Sequence, residues 1–151
     1  MDANDKKILE LLQKDSNLTH KQIAGLLNLS VTPVYERIKR LERTGVIKKY
    51  VALVDPEKID KSLVAYTSIS LKEHTYENLK KFEKEIQQVF PVVECYHIAG
   101  QFDYLLKIVI KDMKEYQKVV IDQLAKMDNI AHVQSSFVMT EVKKSTELPV
   151  D

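Results

Sequence analysis

THKQIAGLLNLSVTPVYERIKRLERTGVI, residues 19–47, is the stretch that decides the fold. Thr19 opens a helix as its N-cap, with Gln22 in the reciprocal capping position and Ile23, Leu26 and Leu27 as its apolar stripe. Asn28 is the terminator. Ser30 or Thr32 caps the next helix, whose first turn accepts Pro33 because the N–H it lacks has no partner there anyway. Val34, Ile38 and Leu41 stand at i, i+4 and i+7, and Gly45 closes the helix. Two short helices so close together predict a helix-turn-helix, in which the second helix keeps one face free for the DNA major groove.

Upstream, Asp2 caps an earlier helix, with Asp5 three positions on and Ile8, Leu11 and Leu12 at helical spacing; Lys14-Asp15-Ser16-Asn17 ends it. Downstream, Val46 to Val54 favours extended structure and is read as a short strand. Residues 1–54 therefore form one unit, and Asp55-Pro56-Glu57 begins a hinge over 55–62. From 63 to 151 the periodicity changes. Strands are expected over 64–72, 92–99, 104–110 and 130–142. One helix carries Leu79, Phe82, Ile86 and Val89, and another carries Met113, Tyr116, Val120 and Leu124; a polar tail follows. The order β-α-β-β-α-β is the ferredoxin-like pattern, so the fold class is α+β: a helix-turn-helix (winged-helix-like) unit, then a ferredoxin-like one.

The chain has 151 residues, 44% hydrophobic and 30% charged, which suits a folded chain of one or two small domains. The formal charge is only +1, so an anionic partner must be argued from local charge. Between Val31 and Tyr50 the basic residues Arg37, Lys39, Arg40, Arg43, Lys48 and Lys49 face only Glu36 and Glu42, a local balance of +4. With Val34, Ile38 and Leu41 inward, Thr32, Tyr35, Glu36, Lys39 and Arg43 project outward, flanked by Arg37 and Arg40. Cations there neutralise phosphates, and Thr32, Tyr35 and Glu36 sit where base edges are read. Ser30, Thr32, Pro33, Tyr35, Glu36, Arg37, Lys39 and Arg40 are the candidate contacts to double-stranded DNA.

The strands of the second unit carry apolar residues at both parities, for instance Tyr104, Leu106, Ile108 and Ile110 against Leu105 and Val109. A sheet with both helices on one face and an apolar second face wants a partner, and another copy of the chain is the simplest one.

Asp2…Asp5-x-x-Ile8-Leu9…Leu12, Ile23-Ala24…Leu29-Ser30, and Val34-x-x-Arg37-Ile38-x-x-Leu41-Glu42-x-x-Gly45-Val46-Ile47 together resemble the Lrp/AsnC (feast/famine) transcriptional regulators. The resemblance runs on through Tyr50-x-Ala52-x-Val54-Asp55-Pro56 and Ala99-Gly100-x-x-Asp103-Tyr104-Leu105-Leu106, nearly the whole chain. It implies a sequence-specific DNA-binding regulator that forms dimers and higher assemblies such as tetramers or octamers, while the lone cysteine and the lack of a signal peptide or membrane span make the cytoplasm the expected compartment. It also implies a small effector, typically an amino acid, bound between dimers at the Gly-x-x-Asp turn and the last strand. The corresponding residues are Gly100, Gln101, Phe102, Asp103, Tyr104, Ser135 and Ser136. A carboxylate suits an α-ammonium, and N–H groups exposed by a glycine turn suit an α-carboxylate. Gly100 and Asp103 are equally ordinary hairpin-turn residues. The alternative is an architectural protein that coats DNA without an effector.

No catalytic motif, phosphate-cradling glycine loop or membrane span is legible, so neither an enzyme, a cofactor nor a membrane partner is expected. Cys95, the only cysteine, alternates with His97 on one strand; two ligands are too few for zinc, and a buried cysteine beside a polar neighbour is the plainer reading.

Overall fold

A computed structural model describes residues 1–150. The chain divides into two compact units, residues 1–53 with 142–150, and residues 54–141.

In the first unit, α1 (Ala3–Lys14) starts at a capping box. The Asp2 carboxylate accepts the N–H groups of Asn4 and Asp5 at 2.9 and 3.0 Å, and the Asp5 carboxylate accepts the Asp2 N–H at 3.0 Å. Helix α2 (His20–Leu27) repeats the device with Thr19 and Gln22, and ends on Asn28 in the left-handed region at φ 54°. Helix α3 (Val31–Arg43) follows after Ser30, whose side chain makes no capping bond, and the chain turns away at Gly45 with φ 74°. Ile8, Leu9, Ile23, Ala24, Val34, Ile38 and Leu41 make the core. Leu26 falls off that seam and is 60% exposed; Ala24 takes its place.

Three expectations are corrected here. Residues 46–54 form no strand: Val46, Tyr50, Val51, Leu53 and Val54 are exposed, because extended backbone without a neighbouring strand has nothing to pair with. The hinge over 55–62 belongs to the second unit; it holds a single 3-10 turn, Glu57–Ile59, and Lys61 is ion-paired to Glu115 at 2.7 Å. The tail, assigned to the second unit, lies on the first. The Gln13 amide accepts the Leu148 N–H at 2.7 Å and donates to its carbonyl at 3.0 Å, and Val150 packs against the core.

The second unit is a four-stranded antiparallel sheet in the order β2-β3-β1-β4, from β1 (Leu63–Leu71), β2 (Val92–His97), β3 (Tyr104–Ile110) and β4 (Ile130–Phe137). Helices α4 (Tyr76–Ile86) and α5 (Met113–Lys118) supply its βαββαβ order. Ala65, Ile69, Leu106, Ile108 and Ile110 pack against Phe82, Ile86 and Leu124. The opposite face is open, with Tyr66 and Tyr96 exposed and Leu105 and Val109 half-buried. Strand β4 stops short of the expected 142: after the Val138 N–H reaches the Val64 carbonyl, β1 offers no further partner. Helix α5 is also shorter than its pattern suggested, giving way to a π-helical turn over Val119–Gln123 and a 3-10 turn over Leu124–Lys126. The wider turn places Val119 and Leu124, five residues apart, in the core instead of Val120.

Candidate nucleic-acid interface and effector turn

Helix α3 is held by its inner side and open on its outer side. Val34, Ile38 and Leu41 are at most 3% exposed, whereas Thr32, Pro33, Tyr35, Glu36, Lys39, Arg40 and Arg43 are all exposed. The outer face is organised around Tyr35. His20 of α2 meets its ring edge-on at 5.2 Å, and the Lys39 ammonium lies 6.0 Å from the ring centre. Lys39 also bonds Glu42 at 2.8 Å, which holds its ammonium above the usual range.

The arginines divide. The Arg37 guanidinium bonds the carboxylates of both Asp2 and Asp5, and Arg40 reaches Asp5 at 2.7 Å. Asp5 is 1% exposed. Burial pushes its carboxyl up, but the Asp2 N–H, the Arg37 bond and the Arg40 charge prevail, and the net displacement is downward. Arg37 is therefore a tie between α1 and α3, and its guanidinium is already held by two carboxylates. Arg40 shares the tie but keeps an exposed side chain. Of the six cations between Val31 and Tyr50, those with no ion pair among the described residues are Arg43, Lys48 and Lys49. Only Arg43 is on the helix; the two lysines follow Gly45, a position that helical projection could not assign to a face.

In the second unit the β2–β3 connection carries the other candidates. Gly100 has φ 151°, a conformation that disfavours any side chain. The Ile98 N–H bonds the Asp103 carbonyl at 2.8 Å and the Asp103 N–H bonds the Ile69 carbonyl at 2.9 Å, closing the turn onto β1. The Asp103 carboxylate accepts the Leu71 N–H at 2.7 Å on Oδ2 and meets His74 Nε2 at 2.9 Å on Oδ1. Burial pushes its carboxyl up, and the Leu71 N–H and His74 bring it net below its ordinary value. His74 had no place in the sequence reading: it lies 29 residues away, in the loop before α4.

Gln101 is exposed and Phe102 half-buried beside the turn. Tyr104 is in the core, against Phe82 at 4.5 Å and stacked with His97 at 4.7 Å, its hydroxyl donating to Glu83 at 3.3 Å. Burial first, then Glu83, pushes that hydroxyl up to about 12. Ser135 and Ser136 alternate across β4. Ser135 faces the helices, in a hydroxyl cluster with the buried Thr67 at 3.1 Å and with Tyr116, and Ser136 pairs with Tyr66 on the open side. Strand β1 separates both from β3, so one chain does not bring the turn and the last strand together.

Cys95 is exposed, not buried as expected, because β2 is an edge strand; with His97, Glu83 and Ile86 it lines an open cleft of about 480 Å³. Burial of the sulfur and the Glu83 charge push its thiol up, away from thiolate chemistry. Among the described residues no cluster of three or more His, Cys, Asp or Glu could hold a metal ion, and no helix is long and apolar enough to cross a membrane.

A helix-turn-helix with an open cationic second helix, followed by a ferredoxin-like unit, defines a DNA-binding regulator with a separate ligand-binding half. Comparison with known proteins bears this out. A family model described as winged helix-turn-helix DNA-binding matches residues 1–48, and one described as Lrp/AsnC ligand binding domain matches residues 64–148. The chain is 35% identical to the leucine-responsive regulatory protein of Escherichia coli (strain K12) over 150 residues, 99% of this chain and 92% of that one. An AsnC family transcriptional regulator from Agrobacterium tumefaciens superposes with TM-score 0.94 at 40% identity, covering 99% of this chain and 97% of that one. A transcriptional regulator from Neisseria meningitidis, solved as an L-Met complex, gives TM-score 0.94 at 32% identity, covering 99% and 96%. This chain belongs to the Lrp/AsnC family of transcriptional regulators.

Proposed function

We infer that the protein works as an assembly in which paired second units present two α3 helices to one DNA duplex. The observation that carries this is the outer face of α3, where Thr32, Tyr35, Glu36, Lys39, Arg40 and Arg43 stand exposed opposite a fully buried seam. Ser30 and Pro33, at the same end of the helix, lie where the backbone would meet phosphate. Two copies related by a two-fold axis read half-sites about 34–36 Å apart, or a multiple of that. The open sheet face and the exposed apolar side chains Tyr50, Val51, Leu53 and Val54 are the surfaces that pairing would cover.

An amino acid at the Gly100–Asp103 turn would bias how dimers associate. The turn offers a carboxylate and main-chain N–H groups, and the Neisseria relative was solved with L-Met. Because Ser135 and Ser136 lie across β1 from the turn, a site using both needs more than one copy of the chain. The effector shifts the assembly only by its differential affinity for the two states.

The test is a gel shift against DNA from upstream of the protein's own gene and against random DNA, with and without an amino-acid mixture, paired with sedimentation. The expected result is preference for the upstream DNA by a dimer or larger particle, altered by amino acids. Equal affinity for both DNAs with equal salt slopes would favour the architectural alternative, and a monomer under binding conditions would end the two-headed reading.

A further inference from the structure

Asp103 has two oxygens, and their partners differ in kind. Oδ2 accepts the Leu71 N–H at the end of β1, where the β1–β4 register shifts. Releasing it would strand a main-chain donor at the sheet's end, at the desolvation cost of an unpaired buried group. Oδ1 meets only the His74 ring, whose side chain is 59% exposed and which water can solvate at once. The loop around His74 is anchored by other residues: Lys72 donates to the Asp128 carbonyl, and the Glu73 carboxylate accepts from Asn78. His74 can therefore swing away without dismantling the loop. Because the carboxyl is held net below its ordinary value it is ionised and accepts only, so His74 Nε2 carries the proton in this bond.

We propose that His74 is an internal competitor for the effector's ammonium group. Its Nε2–H occupies the Asp103 oxygen that an α-ammonium needs, and an amino acid claims that oxygen by displacing the ring. This rests on the reading of the turn as the effector site. The competition falls on amines alone: an ammonium brings a full charge and three donors to the carboxylate and so displaces the ring, whereas a ligand without one gains nothing by evicting the imidazole. His74 thus lowers the affinity for amines and leaves that for ligands without an ammonium unchanged, a brake that sets the effector concentration at which the turn fills.

The experiment is calorimetric titration of the full-length protein, its H74A variant and its D103A variant with L-leucine, L-methionine and the corresponding 2-hydroxy acids. H74A should bind the amino acids about two- to fivefold more tightly than the parent, the size of one solvent-exposed hydrogen bond. Its affinity for the 2-hydroxy acids should not change. Unchanged or weaker amino-acid binding by H74A overturns the inference alone, provided the parent binds and D103A does not. An equal gain for the 2-hydroxy acids also overturns it, since the ring would then be a steric gate. If none of the three proteins binds any of the four compounds, the effector reading of the turn falls and the inference falls with it.

Discussion

Asp5 and Asp103 invite comparison. Each lies near an element boundary, accepts a main-chain N–H and is held below the ordinary carboxylate range. Asp5 is 1% exposed and bonded to two guanidiniums besides the Asp2 N–H, so its capacity is spent on capping α1 and joining it to α3. The Asp103 side chain is 22% exposed, and one of its two partners is a solvated imidazole. A buried acid that keeps the half-buried Arg37 and a main-chain N–H even when the exposed Arg40 lets go is structure. An acid with one displaceable partner keeps an oxygen that, on the reading proposed above, a ligand can claim. The difference lies in the partners, which spacing along the chain does not reveal.

Breaking the Asp5 side of this comparison should cost most. Asp5→Ala removes half of the capping box and both guanidinium bonds. The two arginines can rehydrate, so the loss should be about 2–3 kcal/mol, below the usual cost of splitting a buried pair; thermal unfolding checks it. The same carboxylate sets a pH dependence. Its folded pKa lies below the ordinary 3.8, so its contribution is fully present above that value and lost as pH falls through the folded pKa. Asp5→Asn should lack that acid limb in a pH titration of stability.

On the reading face, Thr32→Ala or Tyr35→Ala should change the preferred operator, by about 1–3 kcal/mol per lost base contact, measured by selection from a randomised DNA library. In the hydroxyl cluster, Thr67→Val should cost about 1 kcal/mol in denaturant unfolding, since Tyr116 and Ser135 still satisfy each other. The smallest effects separate the cations. Arg43→Ala, Lys48→Ala or Lys49→Ala should each flatten the salt dependence of DNA binding by about one unit. Arg37→Ala should leave that slope alone while lowering the melting temperature. A flattened slope for Arg37→Ala with no loss of stability would reverse the division of labour drawn here.

Most of the fold was legible because its signals are local. Capping pairs at Asp2–Asp5 and Thr19–Gln22, the Val34–Ile38–Leu41 seam, and strands apolar at both parities each state their own conformation within a few residues. What failed depended on distant partners. Residues 46–54 have the composition of a strand but no neighbour to pair with, and the π-turn at Val119 shifts the phase of a helical stripe that reads as regular. The candidate sites divide the same way. Helical projection placed Tyr35, Lys39 and Arg43 outward. It could not show that Arg37 is claimed by an aspartate 32 residues upstream, or that His74 sits on Asp103.

The return of residues 142–150 to the first unit has a consequence for how the protein is built. The segment that supplies Leu148 and Val150 is synthesised only after all four strands, so the DNA-reading head is finished last. A fragment cut at Leu53 is an incomplete head, and a graft of this head onto another scaffold must carry two splice points instead of one.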